Sequence, residues 1–95
     1  MNELSLDTVL RRSEVVVATE RDGRTSLMDI VSGRHYNLEG PGARIFALFD
    51  SPRTLGDVRA QLLREFDVPP HVCDSELRTF VTTLMANGLL ETAHL

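Results

Sequence analysis

The chain has 95 residues, enough for one domain with one small core, and its 42% hydrophobic and 25% charged content is a globular balance that excludes a disordered tail. A net charge of −4, a pI near 5.2 and the absence of any lysine exclude the concentrated basic surface with which a nucleic-acid binder neutralises phosphates, and give no attraction to an anionic membrane. A lone cysteine, Cys73, excludes an internal disulfide, and the acidic opening with Glu3 and Asp7 has neither a basic leader nor an apolar run, so a cytoplasmic protein without signal peptide or membrane span is expected.

Residues 1–13 mix polar and apolar positions without a period and are expected to form an N-terminal arm. From Val15 to Glu20 the chain is β-branched and too short for a helix, which predicts a first strand. Asp22-Gly23 suits a tight hairpin turn, and Thr25–Ile30 returns as the second strand. Ser32-Gly33 turns the chain again, leaving His35, Tyr36, Asn37 and Leu38 as the third. Three short strands with two tight turns make an antiparallel meander, whose first and last strands are edges.

The period changes after Gly40. Pro41 fits the first turn of a helix, where its missing N–H is not needed, and apolar Ile45, Phe46, Leu48 and Phe49 follow before Asp50-Ser51-Pro52 stops the helix. Thr54 to Asp57 has the form of an N-terminal cap, and Leu55, Val58, Leu62 and Phe66 share one face of a second helix that ends before Pro69-Pro70. A third helix runs from near Pro70 to Asn87 with Gly88 as its C-terminal cap. Its core face is Cys73, Leu77, Phe80 and Leu84; Asp74, Arg78, Val81 and Met85 form the adjoining stripe. Leu89 to Glu91 is expected to pack back onto the body. The fold class is α+β: one domain over 1–95, a three-stranded antiparallel sheet followed by three helices, the last two arranged as a winged helix-turn-helix-like pair.

Catalysis would need a nucleophile with its base, a carboxylate pair in a cleft, or a metal cluster. His35, His71 and His94 stand in unrelated contexts, Cys73 lies in line with apolar residues, and Gly40-Pro41-Gly42 lacks the lysine of a phosphate loop. No enzyme activity, metal or cofactor is expected. Function then falls to exposed geometry.

The run Ser32-Gly33-Arg34-His35-Tyr36-Asn37-Leu38-Glu39-Gly40-Pro41-Gly42-Ala43-Arg44-Ile45-Phe46 resembles the signature of PqqD-like proteins, also called RiPP recognition elements, which serve ribosomally synthesised, post-translationally modified peptides. Pro52-Arg53-Thr54-Leu55, Phe66-Asp67-Val68 and Asn87-Gly88-Leu89-Leu90 follow in the same order, so the resemblance spans roughly 14–91. His35 stands where a Tyr is common, Glu39 replaces a frequent Asn, Phe46 a frequent Trp, and Pro70 departs from a common Asp-Pro start. The resemblance implies a domain that binds the leader segment of a precursor peptide and delivers it to modifying enzymes. It is most similar to the stand-alone recognition protein of lasso-peptide pathways, whose partners are a leader peptidase and a cyclase.

An edge strand offers unpaired N–H and C=O groups to which an extended peptide can add. The expected peptide site is therefore the third strand, His35, Tyr36, Asn37 and Leu38, with a groove against Asp74, Arg78, Val81 and Met85 of the third helix. Bland readings stand beside it: Tyr36, Leu38 and Val81 as core, Asp74 and Arg78 as a solvated pair. Two alternatives remain open, a recognition protein for another peptide class such as PqqA, and a winged-helix DNA-binding regulator. Against the regulator, the stretch from Thr54 onward sets Arg59, Arg64 and Arg78 against Asp57, Glu65, Asp67, Asp74, Glu76 and Glu91. The same exposed edge could also pair with a second copy.

Overall fold

A computed structural model describes residues 4–93. The expected meander is present as β2 (Val16–Arg21), β3 (Arg24–Asp29) and β4 (His35–Glu39), paired antiparallel in the order β2-β3-β4. Its first turn has Asp22 at φ 53° and Gly23 at φ 76°, the pair of positive φ values that lets a two-residue connection follow the strand twist. At the second turn the Asp29 carboxylate accepts from the amides of Val31 and Ser32, at 2.9 and 3.0 Å, and these bonds lower its pKa.

The N-terminal arm is a correction. Val9–Arg12 form a strand, β1, at the centre of a second sheet with β5 (Arg53–Thr54) and β6 (Leu90–Thr92), in the order β5-β1-β6. Leu10 lies opposite both Arg53 and Thr92 and is completely buried. There are thus two small sheets among the described residues, where one was expected. The segment Leu89–Glu91 does pack back, with Leu89 buried and Leu90 and Glu91 in β6. His94 lies outside the described residues, as do residues 1–3.

Three helices complete the chain: α1 (Pro41–Leu48), α2 (Leu55–Glu65) and α3 (Pro70–Ala86). Pro41 opens α1 as expected. The Thr54 hydroxyl accepts from the Asp57 amide at 3.0 Å, so the predicted cap of α2 is formed. Gly88, at φ 72°, follows the end of α3 and allows the Leu89 amide to donate to the Leu84 carbonyl. The winged helix-turn-helix description holds loosely: α2 and α3 form the pair, flanked by two sheets.

One core joins the layers. Phe46 and Phe49 of the α1 region, Leu10 of β1, Leu27 of β3, Leu55 and Val58 of α2, and Leu89 and Leu90 are almost completely buried. Arg12 ties the two sheets together. Its guanidinium lies 4.3 Å from the Phe46 ring centroid, donates to the Phe46 carbonyl at 3.1 Å and stands 3.7 Å from Glu20 of β2.

Candidate functional site

β4 has β3 on one side and no strand on the other. Its side chains alternate, with Tyr36 and Leu38 half-buried against the core and His35, Asn37 and Glu39 exposed. The main chain alternates too. The Asp29 amide donates to the Arg34 carbonyl at 2.9 Å, and the register runs on through Met28–His35 and Leu27–Tyr36. In an antiparallel ladder bonded and non-bonded pairs alternate, so Tyr36 and Leu38 spend their main-chain groups on β3. His35, Asn37 and Glu39 therefore aim theirs outward, along the open edge.

At the Glu39 end of this edge lies a cavity of about 520 Å³, walled by Glu39 of β4, Pro41, Gly42 and Ile45 of α1, and Glu76, Thr79, Phe80 and Thr83 of α3. Gly42 lets the two helices approach: a Cβ there would stand 3.1 Å from Cζ of Phe80. A smaller apolar cavity of about 100 Å³ adjoins it through Pro41, Ile45 and Glu76, and is closed by Leu62, Phe66, Val68, Cys73 and Leu77. Together they form a groove that continues the open edge along one flank of α3.

The strand half of the expected site, His35, Tyr36, Asn37 and Leu38, is brought together on the edge. The helix half lies elsewhere. Val81 is completely buried, Asp74 pairs with Arg59 of α2, and the Arg78 guanidinium donates to the Leu4 carbonyl. Met85 is half-buried against the core. At ~100° per residue these four lie roughly half a turn from Glu76, Thr79 and Thr83, so α3 presents its core face centrally and the stripe and the groove on opposite flanks. Val81 takes the core position that the sequence assigned to Phe80, which turns toward Gly42. The groove flank carried a signal in the spacing of Glu76, Thr79, Phe80 and Thr83, but not which neighbour that spacing would face.

Other reactive groups are ordinary. Cys73 is buried and burial pushes its thiol pKa up, opposite to an activated nucleophile. His35 and His71 are exposed. No helix among the described residues is long and apolar enough to cross a membrane.

The family model described as coenzyme PQQ synthesis protein D (PqqD) matches residues 24–90. Two solved structures share the fold. One, described as "TbiB1 in Complex with the TbiA(beta) Leader Peptide", superposes with a TM-score of 0.82 at 24% identity, over 90% of this chain and 99% of that one. The other, "Lasso peptide synthetase B1 complexed with the leader peptide", gives a TM-score of 0.74 at 25% identity, over 86% of this chain and 96% of that one. No curated protein matches the sequence.

Proposed function

The chain belongs to the PqqD family, and on that premise we propose that it binds the leader segment of a ribosomally synthesised precursor of the lasso-peptide type, without itself catalysing a reaction. The leader adds as a strand to β4, taking hydrogen bonds from the outward main-chain groups of His35, Asn37 and Glu39. These bonds are indifferent to side chains and supply affinity along any extended segment. Specificity comes from the leader side chains that face inward beside Tyr36 and Leu38, and from those that reach the groove lined by Ile45 and Phe80.

The observation that carries this reading is the open β4 edge running into a cavity against α3, in a fold shared with two leader-peptide complexes. Delivery follows from the binding mode. A strand held by its backbone leaves the downstream precursor free to reach a leader peptidase and a cyclase, the partners proposed here, in the cytoplasm. The net charge of −4 disfavours the DNA-binding alternative.

Fluorescence anisotropy tests it, with synthetic peptides covering the leader of the precursor encoded beside this gene and with random duplex DNA as competitor. Saturable leader binding that survives excess duplex is expected. Steeply salt-dependent binding of the duplex with none of the leader would overturn the reading in favour of the regulator.

A further inference from the structure

Resting on that reading, we infer that the small apolar cavity between α1, α2 and α3 is a second anchoring site for the precursor. It takes one aliphatic side chain, leucine, isoleucine or valine, from the residues that flank the paired segment at its Glu39 end. The cavity shares Pro41, Ile45 and Glu76 with the larger one into which the β4 edge runs, so a peptide leaving that edge meets it directly. Ile45, Leu62, Cys73 and Leu77 are buried at its back, while Val68 and Glu76 are exposed at its rim. Val68 is 38% exposed and leaves apolar surface for a guest to cover.

The wall from Phe66 to Val68 is fixed in advance. The Phe66 amide donates to the Leu62 carbonyl at 2.8 Å and the Val68 amide to the Phe66 carbonyl at 3.1 Å, and Pro69 and Pro70 restrict the backbone leading into α3. A wall held in this way costs a guest little ordering. The volume, about 100 Å³, decides the class of guest. An apolar cavity of ~150 Å³ takes benzene with its six carbons, so this one holds about four. The branched aliphatic groups fit, whereas an aromatic ring does not. A polar side chain would give up its water with only the Glu76 carboxylate at the rim to replace it.

Selection of a displayed library of random linear peptides on the intact chain, followed by anisotropy on the retained sequences, tests this. Those peptides are expected to share Leu, Ile or Val at one fixed position flanking the paired segment. Its replacement by Ala should lose roughly ten- to a hundredfold in affinity, and by Phe at least about tenfold. The Cys73→Ala/Val68→Ala double variant removes the sulfur and two methyl groups from the lining, and on it Phe should bind as well as Leu. Thermal melts check its fold; should it unfold, Val68→Phe, at an exposed rim position, is expected to close the cavity and erase the aliphatic preference. Equal binding of Leu and Phe by the native chain, or a ranking left unchanged by the cavity variants, overturns the inference and leaves the β4 edge standing if Asn37→Pro still removes binding. A native chain that dimerises with concentration, and no longer does so as Val68→Ser, puts a second copy in the cavity and overturns the inference too. Retained peptides that bind Asn37→Pro unchanged overturn the edge reading and the inference with it.

Discussion

Phe80 and Val81 are consecutive on α3 and have different fates. The Val81 side chain has no solvent contact, whereas the Phe80 ring lies over Gly42 at the groove. A carboxylate at position 81 would have to be buried without a partner, at a cost of roughly 3 kcal/mol or more, against a net stability of ~5–15 kcal/mol for a domain. Val81→Asp is therefore expected to lower the urea midpoint sharply or abolish folding, and any loss of peptide binding in that variant reports unfolding. Thr83→Asp, on the exposed groove flank, should leave the unfolding free energy within about 0.5 kcal/mol of the native chain's. Glu65 gives a pH signature. Arg44 donates to its carboxylate at 2.7 and 2.6 Å and Gln61 at 2.6 Å, which lowers its pKa from 4.5 to about 2. A carboxylate depressed in the folded state stabilises above its unfolded pKa and loses that contribution as pH falls through the folded value. The stability difference between the native chain and Glu65→Gln should hold steady above pH 4.5 and fade toward pH 2. Denaturant titrations across that range check it.

Among the elements, β4 and α2 make separable demands. Asn37 aims its amide away from β3, so Asn37→Pro removes a donor from the free edge and none from the existing ladder, the setting in which proline is tolerated. Leader binding should fall by at least tenfold while circular dichroism keeps the native spectrum, an expectation of about 1.4 kcal/mol, comparable to one main-chain hydrogen bond. A variant that folds and binds unchanged would remove β4 as the docking strand. At α2 the effect is stability alone. Thr54→Ala takes away the oxygen that accepts from Asp57, and a lost cap costs ~1 kcal/mol, read as a lower urea midpoint with unchanged leader affinity.

At the scale of the molecule, the N-terminal strand is a structural member. β1 is hydrogen-bonded on both sides, its Leu10 is fully buried, and the Leu6 carbonyl accepts from the Gly56 amide at 2.9 Å. Removing residues 1–12 would strip β5 and β6 of their common partner and open the core beside Phe46. The truncated chain is expected to lack a cooperative thermal transition; a sharp melt at the native temperature would show that β1 is dispensable. The milder Leu10→Ala should cost about 2–5 kcal/mol, as large-to-small changes in a packed core do.

The elements with strong local chemistry were legible from residues alone: the Asp22-Gly23 hairpin, Pro41 opening α1, the Thr54 cap, Gly88 closing α3, and the meander that leaves β4 at an edge. So was the deficit of basic charge, a property of composition that no arrangement in space removes. β1 was not legible, because its four residues have no internal period and gain their strand conformation from Arg53–Thr54 and Leu90–Thr92, segments far along the chain. The groove wall was not legible either. Periodicity states how apolar residues are spaced around α3, but two flanks border any core face, and only packing against α1 and α2 decides which one meets the strand. That packing sends Asp74 to Arg59 and Arg78 to Leu4 on one side, and leaves Glu76, Thr79, Phe80 and Thr83 beside the end of β4 on the other.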